Sequence, residues 1–274
     1  MSYFQDKVII ITGSSMGIGK VMANKMAQAG AKIVLNGRNK ERLRKTQEDF
    51  RDKGFDMLAI DGDVSKVADC QRLIDETVAA HGKVDVLINN AGISMEGTVS
   101  ELQPDIFKKV MDVNFLGSVY PTQAALPHLR KSKGHVIFIG SAAGIRGLPR
   151  YAAYSASKMA LTALAESLRM EEARHGLHVG LAYVGFTEND PDKTIYDKDG
   201  NIIPQPKRDF IKAEPPENVA RRIMTMIESR RFKQVFTILG QLNAWVNRWI
   251  PSVGEWVLAR NYKKNFLSAE EPGR

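Results

Sequence analysis

The amino-acid sequence predicts an α/β fold in which a doubly wound parallel sheet is covered by helices on both faces. Seven short runs rich in Val, Ile and Leu recur along the chain, at 7–12, 32–37, 56–64, 84–92, 134–141, 178–185 and 234–239. The segments between these runs have helical periodicity. Near-continuous apolar strands that alternate with helices are typical of a parallel sheet that is buried on both faces.

The chain length fits one large α/β domain or two small ones, and we favour one. A chain of 274 residues with 43% hydrophobic residues can bury a full core. We predict a single α/β domain over residues 1–240 and an amphipathic helical extension over 241–274. Within the domain, residues 185–210 are too many for an ordinary connection. The DKDGN sequence in this segment predicts a hairpin or a lid over a substrate, and a plain surface insertion is the alternative.

The composition excludes several classes of function. Cys70 is the only cysteine, so no intramolecular disulfide can form, no metal site is predicted and a cytoplasmic location is expected. The N-terminus runs directly into an apolar strand, so we expect no secretory signal. The net charge of +8 favours anionic partners such as phosphorylated cofactors or acidic lipid headgroups. Because the basic residues are scattered, binding to nucleic acid is not predicted.

A glycine-rich turn follows the first strand and predicts a dinucleotide site, as in a Rossmann fold. The sequence TGSSMGIGK allows a tight turn and a close approach of the backbone to a pyrophosphate, which N–H groups at the start of the next helix would bind. A purely structural turn is the alternative. The residues predicted to border the cofactor here are Gly13, Ser14, Ser15, Met16, Gly17, Ile18 and Gly19.

The end of the second strand predicts NADP(H) in preference to NAD(H). No carboxylate stands there to bind a ribose hydroxyl; the sequence reads NGRNKER. The guanidinium of Arg38, with Asn39 beside it, suits a 2'-phosphate, and a solvated loop arginine is the alternative. Asp63 and Val64 end the third strand and are predicted to border the adenine, although Asp63 would also serve as a helix cap.

The stretch YAAYSASK predicts an acid/base residue. Tyr154 and Lys158 are four residues apart, so a helix places them on one face. A phenol has an ordinary pKa of about 10, and a nearby ammonium favours the phenolate. Tyr151 has no lysine at that spacing. An isolated motif of this kind is more often only a solvated helix face.

Taken together, these motifs resemble the short-chain dehydrogenase/reductase family over residues 5–240. The matching motifs occur in family order: T-G-x-x-x-G-x-G at 12–19, NNAG at 89–92, then Asn114, Ser141, Tyr154 and Lys158. The resemblance implies hydride transfer between a nicotinamide and a carbonyl or secondary alcohol. It also implies that Asn90, Ala91 and Gly92 border the cofactor.

The resemblance assigns a role to each of four catalytic residues. Tyr154 would move the proton and Ser141 would hydrogen-bond the substrate oxygen. Lys158 would lower the pKa of Tyr154 and bond the nicotinamide ribose. Asn114 would hold a water that links Lys158 to solvent, and the alternative for Asn114 is a buried, fully bonded amide.

The sequence departs from the family after the sixth strand. The family motif P-G-x-x-x-T reads VGFTEN, so Val184 replaces the proline and Asn189 the threonine. Gly185 and Thr187 are the residues predicted to contact the cofactor here, and Asn189 or backbone amides are the alternatives. Met16 stands where some NADP enzymes have a basic residue, so the NADP(H) prediction depends on Arg38.

The C-terminal extension has an apolar stripe at helical spacing, with basic residues beside it. The stripe consists of Leu242, Trp245, Trp249, Val253, Trp256 and Val257, and the basic residues are Arg248, Arg260, Lys263 and Lys264. Pro251 is predicted to separate two helices, with Ser252 and Glu255 as a capping box for the second. Such helices resemble those with which some membrane-attached steroid or lipid reductases of the family dock. Packing on the protein's own core or on a partner subunit is the alternative.

The predicted class of substrate depends on whether the C-terminal helices contact lipid or pack on protein. Lipid contact would favour a hydrophobic carbonyl: a steroid, a retinoid or a keto-lipid. A soluble reductase of small ketones, sugars or 3-oxoacyl substrates is the second hypothesis, and a cofactor-bound, non-catalytic scaffold is the third. Position alone predicts contacts from Ile93, Ser94, Met95, Gly147 and Leu148, besides Ser141 and Tyr154. By resemblance, the helices at about 101–131 and 155–174 would form a homodimer or homotetramer.

Overall fold

The predicted fold class is confirmed by a seven-stranded parallel sheet. The computed structural model describes residues 2–188, 190–206 and 213–263. The strands of the main sheet are β1 (Val8–Ile11), β2 (Lys32–Gly37), β3 (Leu58–Asp61), β4 (Val86–Asn89), β5 (His135–Ser141) and β6 (His178–Val184). Two short strands follow, β7 (Thr194–Tyr196) and β8 (Ile202–Pro204), and then β9 (Lys233–Val235). The order β3-β2-β1-β4-β5-β6-β9 reverses between β1 and β4, which creates a crevice at the carboxyl ends of the strands.

Helices cover both faces of the sheet. They are α1 (Gly17–Gln28), α2 (Lys40–Arg51), α3 (Val67–His81), α4 (Pro104–Met111), α5 (Gly117–Ser132), α6 (Ala152–Glu171), α7 (Pro216–Glu228), α8 (Ile238–Trp249) and α9 (Pro251–Tyr262). Side chains of a strand alternate between faces. Ile9 therefore packs in the core on the side of α1 and α7, whereas Ile10 packs in the core on the side of α3, α5 and α6.

The last strand of the sheet is shorter than the sequence predicts. The run 234–239 was expected to be a strand, but β9 ends at Val235 and α8 begins at Ile238. The hydroxyl of Thr237 accepts a hydrogen bond from the Gly240 amide at 3.1 Å and so caps α8. The apolar residues Ile238 and Leu239 consequently lie on an exposed helix.

The long segment after β6 contains the predicted hairpin. β7 and β8 pair antiparallel, and the Asp197 carboxylate accepts hydrogen bonds from the amides of Asp199 and Asn201 in the turn between them. A bridge between Thr187 and Glu214 closes the base of the segment. Residues 189 and 207–210 of the predicted lid lie outside the described residues.

The C-terminal extension forms two helices on either side of Ile250, as Pro251 predicts. The predicted capping box is wrong. Pro251 takes the first helical position, where its missing N–H needs no partner, so Ser252 lies inside α9 and the cap residue is Ile250.

The six residues of the apolar stripe are 41 to 65% exposed, so in this chain the stripe does not pack on the protein's own core. Lys264 lies outside the described residues.

Candidate active site

The glycine-rich turn lies tightly against the end of β4. Gly13 and Gly17 have positive φ values of 62° and 55°, which favour glycine. A Cβ on Gly13 would come within 2.8 Å of the Ala91 Cα, and one on Gly19 within 2.5 Å of the Gly13 carbonyl oxygen. The turn therefore requires glycine at these positions and brings bare backbone to the start of α1.

The start of α1 suits an anion. The side chain of the cap residue Met16 makes no hydrogen bond to the first turn of α1. The N–H groups of that turn are therefore open to a ligand. One of them, on Gly17, donates a hydrogen bond to the Asp190 carboxylate at 2.8 Å. A carboxylate from the segment after β6 thus occupies a position of the kind that a pyrophosphate oxygen would take, and the turn fits the predicted cofactor.

Thr12 and Asn90 hold this turn in place. The Thr12 hydroxyl accepts hydrogen bonds from the amides of Asn90 and Ala91. The Asn90 side chain donates to the carbonyls of Thr12 and Gly13 at 2.9 and 3.0 Å. Ser14 is fully buried, and its hydroxyl accepts from the Asn36 amide at 3.0 Å. The side chains of Asn90 and Ser14, both predicted to border the cofactor, therefore brace the loop that would hold it.

Two arginines lie near the predicted ribose end of the site. Arg38 is 44% exposed and lies 3.9 Å from the Asp63 carboxylate. The guanidinium of Arg42, on α2, contacts the Met16 sulfur at 3.2 Å. Sequence reasoning did not select Arg42, because only the fold brings the first turn of α2 against the glycine-rich turn. The Asn39 side chain accepts from the Arg42 amide and caps α2.

Asp63 and Val64 have mainly structural contacts. They follow β3, which ends at Asp61 and not at 64 as predicted. The Asp63 carboxylate accepts from both the amide and the hydroxyl of Ser65. The predicted alternative that Asp63 caps the following helix is wrong, because the cap residue of α3 is Lys66. The Val64 side chain is 4% exposed and packs with Cys70 and Val113. The Val64 side chain therefore belongs to the core, and a contact of Val64 with the adenine remains a prediction for its backbone.

Tyr154 and Lys158 lie one turn apart on α6. The Lys158 Nζ is 5.8 Å from the centre of the Tyr154 ring and donates a hydrogen bond to the Ile139 carbonyl at 2.8 Å. Lys158 is 5% exposed. Its burial, and to a smaller extent the charge of Lys193, lowers the pKa of Lys158 to about 8. Tyr151 caps α6 instead, and its hydroxyl donates to Glu96 at 3.3 Å.

Asn114 lies in a π-helical turn, Asp112–Leu116, between α4 and α5, a feature frequent at functional sites. Its side chain is fully buried, accepts from the Ile93 amide at 2.8 Å and donates to the Ile93 carbonyl and the Ser157 hydroxyl. The alternative of a buried, bonded amide thus describes this side chain. A Cβ on Gly92 would be 3.3 Å from the Asn114 Oδ1 and 3.7 Å from the Lys158 Nζ, so these three residues converge.

Ser141 ends β5 and begins a loop that lies over α6. This loop covers residues 141–148 and is called the catalytic loop below. The Ser141 hydroxyl accepts from the Ala143 amide at 3.2 Å. Gly144 lies so close to α6 that a Cβ would come within 2.8 Å of the Lys158 carbonyl oxygen. Farther along, the Leu148 amide donates to the Ser155 hydroxyl at 3.2 Å. These contacts place Ser141, Tyr154 and Lys158 at the same end of the sheet.

The segment after β4 carries three of the predicted substrate contacts, Ile93, Ser94 and Met95. The Ser94 carbonyl accepts from the Tyr196 amide of the β7–β8 hairpin at 3.0 Å. Met95 has no exposed surface and packs with Leu102 and Ala153 beneath Tyr154. The prediction that Met95 contacts the substrate is therefore corrected: the Met95 side chain supports the site from behind.

The residues after β6 face the extension. A Cβ on Gly185 would come within 2.5 Å of the Thr237 Cγ2, and the Thr187 hydroxyl lies 3.4 Å from the Gly185 carbonyl. Val184, which replaces the family's proline, is a buried strand residue at 6% exposure. Asn189 lies outside the described residues.

Comparisons with known proteins agree on the family. The short chain dehydrogenase model matches residues 7–200. The chain is 34% identical over 267 residues to 11-beta-hydroxysteroid dehydrogenase A of Sesamum indicum, covering 93% of this chain and 75% of that protein. It is 44% identical over 186 residues to 11-beta-hydroxysteroid dehydrogenase-like 2 of Arabidopsis thaliana, covering 67% and 60%. The chain spans from about half to three quarters of the length of such relatives.

Solved structures share the fold. A short chain dehydrogenase/reductase from Burkholderia phymatum in complex with NAD superposes with a TM-score of 0.80 at 25% identity, covering 92% of this chain and 96% of that one. A gluconate 5-dehydrogenase from Burkholderia cenocepacia in complex with NADP and tartrate has a TM-score of 0.72 at 25% identity, covering 84% and 93%. Because the family model matches more than half of the chain and solved members share its fold, the chain belongs to the short-chain dehydrogenase/reductase family and is an NAD(P)-dependent oxidoreductase.

Proposed function

We propose that this enzyme is an NADP(H)-dependent reductase of a hydrophobic carbonyl, with Asn114, Ser141, Tyr154 and Lys158 as its catalytic residues. The observation that carries the proposal is the buried Lys158 ammonium one helical turn from Tyr154, at the same end of the sheet as Ser141. The nicotinamide supplies or accepts the hydride when it is bound. The protein's own residues then have to donate one proton to the substrate oxygen and stabilise the negative charge that develops on it.

In the proposed reduction, Tyr154 donates its phenolic proton to the substrate oxygen as negative charge develops there. The Ser141 hydroxyl hydrogen-bonds the same oxygen and stabilises that charge. Lys158, as an ammonium, stabilises the phenolate that remains on Tyr154. Asn114 fixes Ile93 and Ser157 relative to each other and so holds the end of β4 against α6.

The preference for NADP(H) rests on the two guanidinium groups near the ribose end. Arg38 is half exposed and its ion pair with Asp63 is long, at 3.9 Å, so it has room to turn onto a phosphate. Arg42 lies against Met16 in the glycine-rich turn and would add a second positive charge. Phosphate groups bind guanidinium through paired, charge-assisted hydrogen bonds.

The substrate class is supported by the relatives and by the extension. The relatives reported above are named as hydroxysteroid dehydrogenases, which favours a steroid or another lipophilic carbonyl. The hairpin β7–β8 contacts the segment after β4 through Tyr196, and we propose that it covers the substrate. The tartrate in the gluconate 5-dehydrogenase structure makes small polar carbonyls the competing class.

We further propose that α8 and α9 contact a lipid surface from the cytoplasmic side. No helix in the described ranges is long and apolar enough to cross a bilayer. The exposed stripe lies beside basic groups: the Arg248 guanidinium is 5.7 Å from the Trp249 ring and that of Arg260 is 5.4 Å from the Trp256 ring. Exposed tryptophans with neighbouring cations suit the interface of an anionic membrane. Assembly into a homodimer or homotetramer through α4, α5 and α6 completes the proposal.

One experiment tests the proposal as a whole. NADPH and NADH consumption would be measured against carbonyls from small ketones and sugars to steroids and long-chain keto-lipids, with and without anionic vesicles. We expect NADPH-dependent turnover of the lipophilic compounds, enhanced by vesicles. Turnover of small polar carbonyls alone would favour the soluble reductase. Tight NADPH binding without turnover across the whole panel would favour a non-catalytic scaffold.

A further inference from the structure

The catalytic loop is joined to the C-terminal helices by Arg146. The Arg146 guanidinium donates to the Asn247 side-chain oxygen on α8 at 3.3 Å and to the Pro251 carbonyl at the start of α9 at 3.4 Å. It also lies 3.6 Å from the Glu255 carboxylate. One side chain of the loop therefore contacts both helices of the extension and the junction between them.

The contact is enclosed and reciprocal. The Arg146 side chain is only 13% exposed, although long cationic side chains are rarely buried unless they are paired. A Cβ on Gly254 would overlap the guanidinium in its present position, so α9 packs closely against the end of the Arg146 side chain. In return, the Asn247 amide donates to the Ile145 carbonyl at 3.2 Å. The loop and the extension thus bind each other through residues 145 and 146.

The first turn of α8 is bonded to β9 through Gln241 and Val235, but beyond that turn the helix borders a cavity. A cavity of about 610 Å³ lies between α6, β6, β9 and α8, and Ile145 and Asn247 lie on its wall. Close packing resists displacement, whereas a wall beside a cavity gives way more easily. The position of the extension relative to the loop therefore depends strongly on the hydrogen bonds of Arg146 and Asn247.

The loop that Arg146 holds carries the substrate side of the site. Five residues before Arg146 is Ser141, which is proposed to bond the substrate oxygen. Two residues after it is Leu148, predicted to contact the substrate. We infer that Arg146 is a positioning residue through which contact of α8 and α9 with a lipid surface sets the catalytic loop, and thereby the KM for the carbonyl substrate. The inference rests on the proposed function and adds a means of regulating the same site.

The test compares wild-type enzyme with Arg146→Ala and Asn247→Ala, each assayed with and without vesicles of phosphatidylcholine and phosphatidylglycerol. In wild-type enzyme we expect vesicles to lower the KM for the carbonyl. In Arg146→Ala we expect the KM to rise about fivefold or more, kcat to change less than about twofold, and the vesicle effect to disappear. Because the two side chains bond each other and the same loop, the KM of the double variant should rise by less than the product of the two single changes.

Arg130→Ala is the matched control. Arg130 makes a paired contact with Glu172 at 2.7 and 2.6 Å, so its loss should lower the urea midpoint and leave the KM and its vesicle dependence unchanged. If Arg146→Ala behaves as this control does, with a lower midpoint and an unchanged KM, Arg146 is merely structural and the inference is overturned.

Hydrogen exchange of the catalytic loop provides a readout that needs no substrate. We expect vesicles to slow exchange of the amides of residues 141–148 in the wild type and to leave it unchanged in Arg146→Ala. Vesicle-dependent exchange that is identical in the two proteins would overturn the inference. If no carbonyl is turned over, the proposed function fails, while the exchange comparison still decides whether Arg146 couples the extension to the loop.

Discussion

The carboxylate of Asp190 accepts a hydrogen bond from the backbone amide of Gly17 at 2.8 Å, across 173 positions of the sequence. Asp190 belongs to the segment after β6, and Gly17 begins α1. The positive end of the helix attracts an acidic group from a loop. Since we propose that a pyrophosphate binds at this same helix end, the carboxylate and the cofactor compete for it.

Replacing Asp190 should tighten cofactor binding. Interaction of a carboxylate with a helix N-terminus is worth about 0.3 to 1 kcal/mol, so Asp190→Ala should lower the Kd of NADPH about two- to fivefold. Fluorescence titration of the purified enzyme would measure it. Glu188→Gln removes a negative charge from the same segment and keeps the bond to Gly17, so it serves as the control. A Kd that rises in Asp190→Ala would mean that Asp190 helps to hold the cofactor.

Replacing the two tyrosines at the start of α6 by phenylalanine should have very different effects on kcat. Tyr154→Phe removes the proposed proton donor and should lower kcat about 10²- to 10⁴-fold with an unchanged Kd for NADPH. Tyr151→Phe removes only the hydroxyl that bonds Glu96 and should stay close to wild type. Single-turnover kinetics with NADPH would compare them. Substantial turnover by Tyr154→Phe contradicts the assigned mechanism.

The rate of reduction should fall at alkaline pH. Burial lowers the pKa of Lys158 to about 8, so the ammonium is present below that pH and is lost as the pH rises through it. The ammonium favours the phenolate that proton transfer leaves on Tyr154. We therefore expect kcat/KM for the carbonyl to fall above about pH 8, as a limb that belongs to the coupled Tyr154–Lys158 pair. A flat profile to pH 9.5, with circular dichroism showing an intact fold, would argue against this role of Lys158.

Arg38 should determine cofactor choice. A hydrogen-bonded ion pair with a phosphate is worth about 1.5 to 3 kcal/mol, so Arg38→Ala should raise the KM for NADPH about 10- to 100-fold and change that for NADH little. Arg42→Ala should have a smaller effect of the same kind. Steady-state kinetics with both cofactors would measure these ratios. Equal losses for NADPH and NADH would mean that Arg38 does not contact the 2'-phosphate.

Local patterns in the sequence predicted the parts of the molecule that depend on local physics. Near-continuous apolar runs placed the strands, and the four-residue spacing of Tyr154 and Lys158 placed both on one helix face. Glycines at 13 and 17 predicted a tight turn. Pro251 predicted the break between α8 and α9. Each of these features is decided within a few residues of the chain, so it leaves a signal that can be read without the fold.

Features that depend on distant contacts could not be predicted in this way. Nothing near Asp190 indicates that its carboxylate meets Gly17, and nothing near Arg146 indicates that it contacts Asn247, 101 positions away. The burial of Met95 depends on packing with α4 and α6. The predicted capping box at Ser252 failed because a competing local rule, proline at the first helical position, moved the start of α9 two residues toward the N-terminus.

A buried pair of histidines should make the fold sensitive to acid. The Tyr3 hydroxyl is 2.6 Å from the His135 Nε2, the Nδ1 atoms of His135 and His178 are 3.0 Å apart, and the His178 Nε2 is 3.2 Å from the Arg231 carbonyl oxygen. A carbonyl only accepts, so His178 donates from Nε2 and accepts at Nδ1 from His135. His135 then accepts from Tyr3. Both rings are neutral in this arrangement.

Burial lowers the pKa of His135 to about 3 and that of His178 to about 4, whereas an unfolded histidine titrates near 6.5. As the pH falls from about 6.5 to about 4, the unfolded chain therefore takes up protons that the folded chain does not, and the free energy of unfolding decreases by about 1.4 kcal/mol per pH unit for each histidine. Urea midpoints between pH 8 and pH 4.5 would show this decrease. In His135→Gln/His178→Gln the midpoint should start lower at pH 8 but change less below pH 6.5. The control His128→Gln, in α5 outside this cluster, should follow the wild type. An equal dependence on pH in the wild type and the double variant would assign the acid sensitivity to other groups.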